Sequence, residues 1–140
     1  MEILGNSVGK EKSRIFVLNI LIINYDYPPI GAGAAKASRE IALGLMERGH
    51  DVSILTMKEG NLPDFEIRES ISIFRVNVFR KFAEKSNMLE MFLFVIFSIL
   101  KIKNIIRNGK IEKIIVFYSL PLGPIALFAK KIFQIPYLVS

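Results

Sequence analysis

Residues 15–23 are apolar at every position except Asn19. A run without alternation predicts a strand covered on both faces, as in a parallel sheet clad with helices. This first strand is placed at 15–24. From 34 to 48 the spacing turns helical, with Ala34, Ala37, Ile41, Ala42, Leu45 and Met46 recurring at threes and fours. Gly49 stands where a left-handed C-terminal cap belongs, and Arg48 suits the last turn. Residues 51–57 alternate and are rich in strand formers, giving a second strand. Strand, helix and strand of these lengths make a βαβ unit, whose crossover is nearly always right-handed.

Residues 71–79 alternate as a third strand, with a short 65–68 piece as its partner. A helical period follows from 82 to 107, ended by Asn108-Gly109. A fourth strand is predicted at 111–118, a loop and helix at 121–133, and a fifth strand at 135–139. The expected fold is α/β: a Rossmann-like, mostly parallel sheet in the order 3-2-1-4-5, flanked by helices. Residues 1–14 lack periodicity and hold Gly5, Asn6, Ser7 and Gly9, so a disordered extension is expected there. Residues 15–140 then form one domain, in keeping with a chain of 140 residues.

Two apolar runs raise the question of membranes. Lys10, Lys12 and Arg14 precede the first run, and Ala32-Gly33-Ala34 lies beyond it, in outline a signal peptide. Tyr25-Asp26-Tyr27-Pro28-Pro29 interrupts that outline, and the run is far shorter than the ~20 residues of a span. A buried strand is the reading adopted. The second run, 91–100, is apolar on every face, with Glu90 before it and Lys101, Lys103 and Arg107 after it. It is also too short to span. Two readings stay open: a helix buried against the sheet, or one docked on an anionic membrane surface with its lysines on headgroups.

Composition narrows the chemistry. Hydrophobic residues make up 51% and charged ones 23%, an ordinary globular balance. With no cysteine, a disulfide framework, a zinc ribbon, an iron–sulfur cluster and a thiol nucleophile are all excluded. One histidine, His50, rules out a multi-histidine metal site. His50 falls between the first helix and second strand, at the sheet edge opposite the one that binds ligands, so a structural role is expected. The net charge of +6 is uneven: residues 1–74 hold 8 Lys/Arg and 10 Asp/Glu, residues 75–140 hold 11 and 3. A basic half points to phosphate or an acidic surface. No nucleic-acid partner is expected, because no stacking aromatics interleave the basic residues on a sheet face.

The loop from Tyr25 through Pro28-Pro29-Ile30-Gly31-Ala32-Gly33 to Lys36 is the most informative stretch. It follows the first strand and opens the first helix, where backbone N–H groups and the helix N-terminus favour an anion. Gly31, Ala32 and Gly33 are the candidate anion-binding loop, and Lys36 and Arg39 are candidates to face phosphate. It is not a dinucleotide fingerprint: Lys36 occupies the third glycine's place, and the second strand ends in Thr56-Met57 with no acidic residue. No Gly-Lys-Ser/Thr exists for a P-loop. No cofactor is expected. Tyr118 and Ser119 end the fourth strand on the ligand side and are candidates for ligand contact.

The segment from Asn19 to Ala35, with Tyr27-Pro28-Pro29-Ile30-Gly31-Ala32-Gly33, and Arg48-Gly49-His50-Asp51-Val52 resemble the N-terminal domain of glycosyltransferase family 4. Tyr118-Ser119-Leu120-Pro121-Leu122-Gly123 and Ile135-Pro136-Tyr137-Leu138-Val139-Ser140 extend the resemblance over about residue 19 to the end. It implies half of a GT-B fold, in which two Rossmann-like domains face a cleft. It also implies a retaining transfer of sugar from a nucleotide-sugar donor to a saccharide or lipid-linked acceptor, without a divalent metal. The family's donor domain, with its Glu-x7-Glu motif, is expected to be missing. Residues 1–140 would then be an inactive fragment needing a C-terminal domain or separate subunit, located in the cytoplasm or at the inner face of the membrane. No catalytic residue is assigned. The alternative is a non-catalytic binding or membrane-associated accessory module.

Overall fold

Leu21 and Ile23 of the first strand are buried against one helix layer, Ile20 and Ile22 against the other. That double burial is what an unalternating apolar run demands. The computed structural model describes residues 17–28, 33–58, 60–78, 88–117 and 119–139. In chain order the elements are β1 (Asn19–Ile23), α1 (Gly33–Glu47), β2 (Asp51–Met57), β3 (Phe65–Arg68), β4 (Ile71–Val76), α2 (Met88–Gly109), β5 (Lys113–Val116), α3 (Ser119–Phe133) and β6 (Tyr137–Val139). The 1–14 segment expected to be an extension lies outside the described residues.

The strands form one six-stranded sheet in the order β3-β4-β2-β1-β5-β6. Every pairing is parallel except β3 with β4. Counting the five expected strands alone, the order is the predicted 3-2-1-4-5, with the hairpin strand added outside the third. The run that resembled a signal peptide is therefore used as the centre of the sheet. The layer of α2 and α3 contributes Phe94, Ile102, Ile125 and Ala129, packed on Leu21, Leu55 and Val116. The opposite layer is α1, whose Ala42 meets Ile22, Ile54 and Ile73.

The helix ends differ in how they stop. After α1, Gly49 has φ +94°, its N–H donates to the Met46 carbonyl at 2.9 Å, and the His50 N–H donates to Leu45 at 3.1 Å. That pair of bonds is a Schellman cap with glycine in the left-handed place. The end of α2 repeats the pattern one residue later than the sequence suggests. Ile111 N–H donates to the Ile106 carbonyl at 3.1 Å, and Lys110, not Gly109, is left-handed with φ 50°. Gly109 answers to a different demand, since a Cβ there would come within 3.2 Å of Ile111 Cδ1. A left-handed residue with a Cβ costs roughly 1–2 kcal/mol. Lys110→Gly should therefore raise stability by about 1 kcal/mol, read as a higher urea midpoint at unchanged m-value; no gain would show that the strain is relieved otherwise.

His50 has the structural role expected of it, with a particular partner. Its Nδ1 accepts the Leu18 N–H at 3.0 Å and so fixes the entry of the chain into β1.

On α2 one face is buried through Phe94, Val95, Ser98, Ile102, Ile105 and Ile106. The opposite face is not covered by the described residues. Among those residues no helix is long and apolar enough to cross a membrane.

Candidate functional site at the carboxyl edge of the sheet

In a parallel open sheet, ligands collect beyond the carboxyl ends of the strands. Here that edge is organised by Asn24, the residue that ends the apolar run of β1. Its backbone N–H continues the ladder to the Leu55 carbonyl at 3.1 Å. Its side-chain amide leaves the sheet and donates to the Ala34 carbonyl at 3.2 Å and to Ser38 Oγ at 3.4 Å. Ser38 in turn donates to the Ala35 carbonyl at 2.8 Å. Asn24 and Ser38 are fully buried. One polar side chain thus stitches the end of the central strand to the first turn of α1.

The next residues are pinned as well. Tyr25 O accepts from Thr56 Oγ1 at 2.8 Å and from the Met57 N–H at 3.1 Å. The Tyr25 ring packs tilted on Phe94, with centroids 5.4 Å apart. Burial pushes its phenol well above the ordinary tyrosine range. Tyr27 lies on the α1 side of the sheet; burial raises its pKa first, and the Glu69 carboxylate adds to that.

Gly33 is the first residue of α1, at the mouth of this edge. A Cβ there would meet nothing within 4 Å among the described residues, so the fold itself does not ask for glycine. Gly31 and Ala32 lie outside the described residues, as does Tyr118. Ser119 opens α3. Lys36 is exposed on the first turns of α1. Arg39, one turn further, is engaged: its Nε donates to Glu69 Oε1 at 2.8 Å and its Nη2 to Glu69 Oε2. This two-pronged pair raises the arginine pKa and lowers that of Glu69. Arg39 therefore ties α1 to the β3–β4 turn.

Arg75 is the residue that the sequence reading passed over. It sits in β4, only 2% exposed. Its Nη1 donates to Glu66 Oε2 at 2.7 Å and to the Pro63 carbonyl at 3.1 Å. Lys101 of α2 donates from Nζ to the Arg75 carbonyl at 3.0 Å. Lys101 is thus bound into the end of β4 and is not one of the free basic groups of α2. Among the described residues no cluster of three or more metal-ligating side chains converges. A recess of about 320 Å³ lined by Ile20, Ile115, Pro136, Tyr137 and Leu138 lies on the sheet face beside β5 and β6, not at the carboxyl edge.

A central parallel strand feeding a glycine-opened helix N-terminus defines a Rossmann-like α/β domain of the kind found in GT-B enzymes. No protein-family model and no curated protein matches the sequence. Solved structures do match. Sucrose-phosphate synthase from Thermosynechococcus elongatus superposes with a TM-score of 0.68 at 17% identity, over 87% of this chain and 32% of its own. A glycosyltransferase from Rickettsia africae gives 0.57 at 17% identity, over 89% and 29%. The C-terminal domain of PF1911 hydrogenase from Pyrococcus furiosus gives 0.59 at 16% identity, over 87% and 89%. The chain thus spans about a third of the length of the two transferases. At such identities the likeness is one of fold.

Proposed function

We propose that this chain is the acceptor-side N-terminal half of a family 4 glycosyltransferase, using a nucleotide-sugar donor and a saccharide or lipid-linked acceptor. The observation that carries the reading is Gly33 at the N-terminus of α1, facing the carboxyl edge beside the central strand. Unsatisfied N–H groups and the helix dipole favour an anion there. Gly31, Ala32 and Gly33 would line the donor diphosphate, and Lys36 would add charge from the same turn. Arg39 acts through its pair with Glu69, holding α1 in place. Tyr118 and Ser119 would meet the acceptor. The reading places the protein in the cytoplasm, where activated sugars are made, with the inner face of the membrane as the place of a lipid-linked acceptor.

The test is a titration of the labelled chain with a nucleoside diphosphate, following backbone amides. Shifts at Gly33 to Lys36 that disappear in Gly33→Val, at unchanged melting temperature, are expected. Because the described residues leave room for a Cβ at this position, a loss of binding at unchanged melting temperature would report on the ligand and not on the packing. Shifts confined to other amides would overturn the assignment. The second reading is a non-catalytic binding or membrane-associated module that needs a second polypeptide; binding of the nucleoside diphosphate at other amides only would favour it.

A further inference from the structure

The outer face of α2 carries a stripe that the described residues leave uncovered. Leu89 is 65% exposed, Phe92 60%, Ile96 38% and Leu100 72%. Lys103 and Arg107, also exposed, continue the same line. At 100° per residue these six positions fall within an arc of about 80°, opposite the buried Phe94, Ser98, Ile102 and Ile105. The stripe runs roughly 27 Å, apolar over its first three turns and basic over its last two. The single carboxylate of α2, Glu90, is buried, and α3 beside it has none. Lys130 and Lys131 are exposed on that neighbouring helix.

We infer that this stripe is a docking face for an anionic lipid surface. Large aliphatic and aromatic side chains gain by leaving water, and cations at one end of the same line match headgroup phosphates. The absence of exposed carboxylates on either helix removes the repulsion that such a surface would otherwise impose. The inference stands apart from glycosyl transfer, and its failure would leave that reading untouched.

Vesicle co-sedimentation tests it with the chain itself. The protein should pellet with phosphatidylcholine vesicles containing phosphatidylglycerol, less with phosphatidylcholine alone, and less again as salt is raised. Replacing both Lys103 and Arg107 with Gln should lower the partition roughly thirtyfold. Phe92→Ser with Leu100→Ser should lower it roughly a hundredfold. All four residues are exposed, so circular dichroism and the melting temperature should be unchanged, which separates lost docking from lost fold. Equal recovery in the supernatant with and without anionic lipid would overturn the inference. So would sedimentation-velocity evidence of lipid-free self-association abolished by Phe92→Ser, which would give the face to a second copy.

Discussion

Glu66→Ala should cost about 3 kcal/mol of stability, because it strands the buried guanidinium of Arg75. Arg75 is 1% exposed at its side chain and Glu66 19%, so the partner lost is the one that neutralises a fully enclosed charge. The carboxylate's residual exposure keeps the value toward the lower end of the range for such pairs. Arg68, 3.1 Å from the other Glu66 oxygen, carries the same charge as Arg75 and cannot take the place of the carboxylate. Arg75→Met should be far milder, within about 1 kcal/mol, because an apolar chain of similar length removes the charge with its need. In that background Glu66→Ala should cost almost nothing. Urea denaturation of the four proteins measures the coupling; additive losses would mean that the two residues act separately.

The same pair sets a dependence on pH. The hydrogen bond from Arg75 holds the Glu66 carboxyl below its ordinary 4.5, more strongly than burial raises it. A group with a depressed folded pKa stabilises fully above its unfolded value, and the contribution is lost as pH falls through the folded one. Asp64, lowered by its hydrogen bond from Lys58, and Glu69, lowered by Arg39, act in the same direction from more exposed sites. Stability should therefore be level above pH 4.5 with respect to these groups and decline below it. The decline should be shallower in Glu66→Ala than in the parent.

The sheet was legible because its strands obey simple rules. The first is apolar without alternation and ends up central; the second alternates and sits beside it, and the third alternates and sits beside the second. The 65–68 hairpin was visible only as a short piece, since its turn residues Glu69 and Ser70 have φ values of 55° and 65° without the Asn or Gly that such a turn favours. Arg75 was hidden by its neighbours, because alternation places it on the same face as Ile71 and Ile73 and says nothing of a carboxylate nine residues earlier on the neighbouring strand. Asn24 did carry a signal: a polar residue closing an apolar run, just before a helix must begin. For α2, a window of 91–100 is apolar all round and gives no orientation. Over 89–107, Leu89, Phe92, Ile96 and Leu100 line up with Lys103 and Arg107, and the basic end marks this line as the outward one.

If the chain is the acceptor-side half proposed above, residues 1–140 by themselves should transfer no sugar, and activity should appear when a donor domain that completes the cleft is supplied. Transfer between two bound molecules gains most of its rate from holding donor and acceptor in reacting geometry, an advantage equivalent to effective concentrations on the order of 10⁵ M or more. One Rossmann-like domain offers one wall for that purpose. The transferases that share the fold are about three times as long as the part this chain matches. An anion held at the N-terminus of α1 would thus bind weakly and turn over nothing. Assays with a panel of nucleotide sugars, run on residues 1–140 alone and with a donor domain added, separate the two readings. Transfer in the mixture that falls with Gly33→Val establishes a split or two-domain enzyme. Binding without transfer in any combination leaves a non-catalytic module, and turnover by the chain alone would refute the half-cleft account outright.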